Sequence, residues 1–177
     1  MALFSNPEIE IDRLPASLTI QYTRLAPSYL KVALLGTGIF FLIMGAGLVA
    51  IVNLAEIVEY PWLLYGLPLT WLFFLIYAML INVLNFRIQG YALRQHDVVY
   101  RRGVLFRKIT TIPFNRVQHC EIKQGPIERM FHLKTLEVYT AGGATSDLKI
   151  PGLPDGRAQE LKDFIINQGM NQNDESE

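Results

Sequence analysis

FRIQGYALRQHDVVYRRGVLFRKITTIPF, residues 86–114, is where the chain changes character. Just before it, a long stretch carries no charge at all. Within it, apolar and polar residues alternate, β-branched and aromatic side chains are frequent, and turn signals fall at Gln95–Asp97 and Gly103. The pattern predicts antiparallel strands from Phe86 onward. Its middle, VVYRRGVLFRK at 98–108, reads as a basic hairpin with an apolar tip: Arg101, Arg102, Arg107 and Lys108 flank Gly103, Val104, Leu105 and Phe106. Three readings of this hairpin stay open: contact with anionic lipid, contact with a protein partner, or a plain solvated face. Alternation also allows some of the three apolar tip residues to fill the core.

Upstream, no ionisable side chain occurs from Val32 to Ala55 or from Tyr60 to Phe86, runs of 24 and 27 residues. A bilayer core needs roughly 20 apolar residues in a helix. The runs predict two membrane helices, 30–54 and 61–84, joined by AEIVEY, which has two acids and no Lys or Arg. The apolar stretch is longer than that of a signal peptide and its leader is mixed in charge, so a retained helix is expected. Arg13 and Arg24 precede the first span, Lys31 sits at its start, and Arg87, Arg94, Arg101, Arg102, Arg107 and Lys108 follow the second. By the positive-inside rule both termini are cytoplasmic, with residues 1–29 as a cytoplasmic N-terminal segment. Tyr60, Trp62 and Tyr65 suit the outer interface and Tyr29 the inner one.

No Asp, Glu, Lys, Arg or His occurs between Val32 and Leu54 or between Pro61 and Leu84. Ionisable groups inside a bilayer usually mark ion paths and proton relays, so their absence argues against a pump or transporter acting alone. Asn82 and Asn85 sit at the cytoplasmic end, where water is expected to reach them, and Pro68 is a candidate kink. Gly38, Gly45, Ala46 and Ala50 of the first span form a candidate helix-packing face. The alternative is that small residues are simply common in membrane helices.

Downstream, RVQHCEIK (116–123) and LKTLEVYTA (133–141) read as further strands, with GG at 142–143 turning the chain into TSDLKI. In PDGRAQELKDFIINQ, Ala158, Leu161, Phe164 and Ile165 fall at helical spacing after Asp155, a plausible N-cap. Several antiparallel strands followed by one amphipathic helix predict a small barrel or roll closed by a C-terminal helix, over residues 86–168. Residues 169–177 are expected to be disordered.

The stretch from Tyr100 to Gly143, followed by LKIPGL, resembles the bacterial pleckstrin-homology domain family, in its small YdbS-like, membrane-anchored branch with two helices before one domain. The residues that carry the resemblance are Gly103, Ile112, Pro113, Arg116, Val117, Gln118, Pro126, Arg129, Leu133, Leu136, Thr140, Ala141 and Gly142, with Ile150, Gly152 and Leu153. His132 departs from the family, which often has Gly there; a turn needing positive φ would explain that Gly, and His then fills it at some cost. The resemblance implies a pleckstrin-like barrel of about seven strands capped by the C-terminal helix. It also implies assembly with a larger membrane protein carrying several such domains, and supplies no settled activity.

The motif residues have structural readings too. Pro113 ends strand pairing or sits at an edge. Arg116 and Arg129 either pair with Glu121 or Glu128 or face a partner. Cys120 is most simply a small buried residue.

Catalytic sets are not found. There is no nucleophile elbow, zinc-binding helix or phosphate loop, and the Gly-rich GTG and GAG lie in a membrane span. His119 and Cys120 are adjacent, so in a strand they point to opposite faces. One cysteine excludes an internal disulfide, and the three histidines lack zinc-ligand spacing. No enzyme activity, cofactor, metal, nucleic acid or small-molecule substrate is therefore expected. From Arg87 to Ile150 there are eleven Lys or Arg against five Asp or Glu, which favours an anionic leaflet. The expected function is a membrane-anchored interaction or scaffold subunit on the cytoplasmic face, as a homo-oligomer or with a larger relative. The alternative is a lipid-headgroup-binding or lipid-handling module of the inner leaflet.

Overall fold

The structure, a computed structural model, describes residues 20–54, 60–141 and 146–174. The two charge-free runs fold as α1 (Pro27–Leu54) and α2 (Pro61–Ile88), 28 residues each. Each opens on a proline, whose fixed φ and missing N–H suit a first helical turn. Both pass the predicted limits on the side facing the domain. Nothing breaks the helix between Leu84 and Gln89, where the backbone turns extended at ψ 137. Phe86, Arg87 and Ile88, expected to open the first strand, are therefore the last turn of α2. Pro68 lies inside α2 without ending it.

Strands β1 (Thr23–Arg24), β2 (Gly90–Leu93), β3 (Asp97–Arg102) and β4 (Lys108–Pro113) form one antiparallel sheet in that order. A short 3-10 turn at Phe114–Arg116 leads into β5 (Val117–Lys123), β6 (Leu133–Thr140) and β7 (Leu148–Pro154), the second sheet. A five-residue helix, α3 (Pro126–Met130), joins β5 to β6, and α4 (Asp155–Asp174) closes the barrel. This is the predicted pleckstrin-like architecture. The sequence reading did not anticipate α3 or β1.

β1 changes the domain plan. Residues 1–29 were expected to stand apart from the barrel, yet Thr23 pairs with Tyr91 and Arg24 with Gly90. Leu25 is buried in the core, and the Ala26 N–H donates to the Gly152 carbonyl at 3.2 Å. The membrane hairpin is thus an insertion between two neighbouring strands of one sheet.

The core gathers inward-facing residues of both sheets, among them Val98, Ile112, Leu136 and Ile150, all at most 4% exposed. Ala158, Leu161 and Ile165 of α4 plug the barrel as their spacing predicts. Phe164 stays partly exposed and meets Phe114 edge-on at 5.9 Å. The helix does not stop at Gln168 but runs to Asp174, so residues 169–174 continue α4. Gly169 lets this part of the helix pass close to the barrel. Its missing Cβ would stand 2.9 Å from the Phe114 carbonyl oxygen, so only glycine lets α4 lie this close to the 3-10 turn.

Residues 1–19, the AEIVE part of the interhelical link, motif residue Gly142 with the Gly142–Gly143 turn, and residues 175–177 lie outside the described residues.

Candidate membrane-facing site

The β3–β4 hairpin is built around Gly103, which adopts φ 93, a left-handed conformation that a side chain would resist. A Cβ there would also collide with the Phe106 carbonyl oxygen. The tight turn throws the tip outward: Leu105 is 68% and Phe106 89% exposed, so neither fills the core. Val104 is half-buried, and its backbone N–H donates to Asn85 Oδ1 of α2 at 3.0 Å. Gly103 to Phe106 share a shallow cavity with Ile81 and Asn85. Asn85, expected to be hydrated, is instead the receptor for the hairpin.

The four hairpin cations have different fates. Arg101 donates through Nε to the Ile88 carbonyl at 3.1 Å and stacks its guanidinium 4.3 Å from the centre of the Tyr22 ring. It is a fastening between β3, the end of α2 and the segment before β1. Arg102 and Lys108 face each other across the β3–β4 pair. They and Arg107 are exposed, and no ion pair holds these three among the described residues. One side of the hairpin is therefore structural and the other is open.

A second contact lies on the other membrane helix. Ile127 of α3 packs 3.8 Å from where a Gly36 Cβ would stand, and the neighbouring Met130 is 71% exposed. Tyr29, predicted for the inner interface, lies instead over Gly152 of β7. Gly152 has φ 67, and its missing Cβ would fall 2.6 Å from the Tyr29 ring, so glycine is required there on two counts. Between the helices, Asn82 Nδ2 donates to Thr37 Oγ1 at 2.7 Å.

The predicted helix-packing face divides. Gly38 faces Met79, and Gly45 lies under the Trp71 ring, with its missing Cβ 3.0 Å from Cζ2. These two glycines serve the contact of α1 with α2 inside the chain. Ala46 and Ala50 point outward and are exposed.

The family-motif residues are mostly structural. Ile112, Leu133 and Leu136 are core, Val117 packs against it, and Pro126 opens α3. Gln118 marks a register shift between β5 and β6. Pro113 is the last residue of β4, the edge strand, as expected. Thr140 donates both its N–H and its hydroxyl to Asp147, and the Ala141 N–H donates to the Arg116 carbonyl. The pairing expected of Arg116 and Arg129 does not form. Glu128 accepts from Gly125 N–H and Thr135 Oγ1, both at 2.8 Å, and Glu121 pairs with Lys123 at 3.3 Å. Both arginines are exposed. His119 and Cys120 do point to opposite faces, His119 out and Cys120 in. Burial pushes the Cys120 thiol up to about 11, which suits a packed residue and not a nucleophile.

The outer face of β5–β6–β7 carries a cluster that spacing alone did not reveal. Glu137 is only 4% exposed, between Lys123 and Lys149, each 2.8 Å away. Tyr139 donates to it at 2.8 Å and stacks on His119 at 4.3 Å. Hydrogen bonds from Lys123, then Lys149, hold the Glu137 carboxyl well down, at about 2. Among the described residues no group of three His, Cys, Asp or Glu could hold a metal ion.

Both membrane helices are long and apolar enough to cross a membrane. The transmembrane protein YdbS of Bacillus subtilis strain 168, of the group UPF0699, is 26% identical over 144 residues, 80% of this chain and 89% of that protein. Transmembrane protein YdbT of the same strain and group is 31% identical over 78 residues, 44% of this chain but only 15% of the longer protein. No solved structure matches the chain significantly. The Bacterial PH domain family matches residues 30–169, hairpin and barrel together, and the chain belongs to that family.

Proposed function

We propose that the protein is a non-enzymatic scaffold subunit of the bacterial inner membrane, with its barrel and both termini in the cytoplasm. It assembles with itself or with a longer membrane protein that carries the same domain. The observation that carries this reading is the insertion of the hairpin between β1 and β2. A domain on a loose leash samples many orientations, and ordering it costs entropy at each binding event. Here two strand connections, the Val104–Asn85 bond and the Ile127–Gly36 contact make barrel and anchor one body. The β5–β7 face, with Lys123, Glu137, Tyr139 and Lys149, is then presented to the cytoplasm in a fixed direction. Assembly with a longer relative is supported by one bacterium carrying both a short relative and a long one that shares a part of this sequence. The flanking cations support the cytoplasmic placement.

The test is extraction of the full-length protein in mild detergent, with identification of what co-purifies. Lys123→Ser with Lys149→Ser, and separately Arg102→Ser with Arg107→Ser and Lys108→Ser, run beside it. A stoichiometric protein partner, weakened by one of the two variants, is the expected result and locates the interface. Recovery of monomer carrying only anionic lipid, lost in the hairpin variant, would replace the scaffold with a lipid-binding module.

A further inference from the structure

The two membrane helices are too long for the bilayer they cross. Twenty-eight residues at 1.5 Å each give about 42 Å, against a hydrocarbon core of about 30 Å. Some 10 Å of each helix lies outside the core, and the structure shows which part. Thr37 and Asn82 are joined by a hydrogen bond and so lie at one height. Above that level, α1 from Thr37 to Leu54 measures about 27 Å and α2 from Trp62 to Asn82 about 31 Å. Both match the core. Below it the helices are sheathed by the barrel: Val32 is buried, and most residues from Ser28 to Gly36 and from Asn82 to Ile88 are partly covered. The exposed cations Lys31 and Arg87 fall about 8 Å under this level, where headgroups begin to give way to water.

Two apolar prongs reach this same height from opposite helices. The hairpin tip rests on Ile81 and Asn85, with Leu105 and Phe106 projecting. α3 rests on Gly36 through Ile127, with Met130 projecting. Each prong has exposed cations at its base, Arg107 and Lys108 on the first and Arg129 on the second. An apolar side chain at the acyl boundary with a cation beside it for the phosphate is the arrangement of interfacial anchors.

We infer that the barrel is a collar seated in the cytoplasmic-side leaflet, with Leu105 and Phe106 on one side and Met130 on the other inserted at the acyl boundary of an anionic lipid surface. The collar fixes how deep the hairpin sits. This is separate from assembly and holds whether or not a protein partner exists.

The experiment uses the full-length protein in nanodiscs of mixed phosphatidylglycerol and phosphatidylcholine. Phe106→Cys, Met130→Cys and, as an aqueous reference on α4, Gln159→Cys are each spin-labelled, with the buried Cys120 left in place. All three positions are exposed in the protein, so the substitutions leave the fold intact, checked by gel filtration and circular dichroism. The ratio of oxygen to nickel-chelate accessibility, which rises inside a leaflet, is expected to be several-fold higher at 106 and 130 than at 159. Labels at 106 and 130 as aqueous as the one at 159 would overturn the inference. A buried label at 106 with an aqueous one at 130 would overturn the two-sided collar.

Discussion

Thr23, four residues before the first membrane helix, lies opposite Tyr91, three residues beyond the second. A pair this close across the hairpin places both of its ends on one side of the membrane. It also makes the segment before α1 part of the barrel's stability. Leu25, the next residue but one, is 3% exposed in the core. Leu25→Ala is expected to cost about 2–5 kcal/mol, the range for emptying a buried leucine site. Thermal unfolding of the full-length protein in detergent measures it. A barrel independent of this segment would unfold unchanged.

The Asn85–Val104 bond predicts a local effect. Asn85→Ala leaves one backbone N–H without its partner and is expected to cost about 1 kcal/mol. Because the bond holds the tip and not the core, hydrogen exchange at Val104 should quicken while exchange at Val98, Val99 and Tyr100 of β3 stays the same. Equal quickening along β3 would show that the tip is not separately docked.

Most of the architecture was legible in the sequence because it rests on periodicity. Charge-free runs, alternation from Gly90 on and the 3.6-residue spacing of Ala158, Leu161 and Ile165 each depend on one short window. What was missed depends on distant partners. Thr23–Arg24 is two residues long and becomes a strand only because Gly90–Tyr91 lies beside it. Asn85 looks like a polar residue at a wet helix end until the hairpin, 19 positions later, lands on it. Glu137 looks like one of many surface acids, and only the register of β5, β6 and β7 brings Lys123 and Lys149 to it. The hairpin itself was visible as a basic, apolar-tipped turn, but not the division by which Arg101 turns inward to α2 while Arg102, Arg107 and Lys108 stay open.

The Glu137 cluster carries a pH dependence of known sign. Its carboxyl titrates at about 2 in the folded protein, below the ordinary value of 4.5, because Lys123 and Lys149 favour the charged form. A depressed folded value means stability that is present above the unfolded value and lost as pH falls. Stability is therefore expected to decline as pH drops from about 4.5 toward 2, and Glu137→Gln should remove that part of the slope. At pH 7 the same variant leaves two lysines facing a neutral amide and should be less stable than the parent. Denaturation midpoints of both proteins at pH 3 and pH 7 decide the matter. Parallel losses with acid in the two proteins would refute the assignment.

His132 follows α3 with φ 53, the left-handed conformation that ends many helices and that glycine adopts most readily. Its N–H donates to the Arg129 carbonyl at 3.2 Å and its side chain is exposed, so the position is defined by its backbone. The left-handed region costs an L-residue roughly 1–2 kcal/mol, and glycine's extra freedom in the unfolded chain offsets about 0.5–1 of that. His132→Gly is thus expected to stabilise the protein by about 0.5–1 kcal/mol. His132→Val, with its branched Cβ, should destabilise by about 1 kcal/mol or more. The opposite signs are the test, because a role for the imidazole itself would make both substitutions lose stability. Thermal midpoints of the two variants beside the parent protein, in one detergent at pH 7, separate the outcomes.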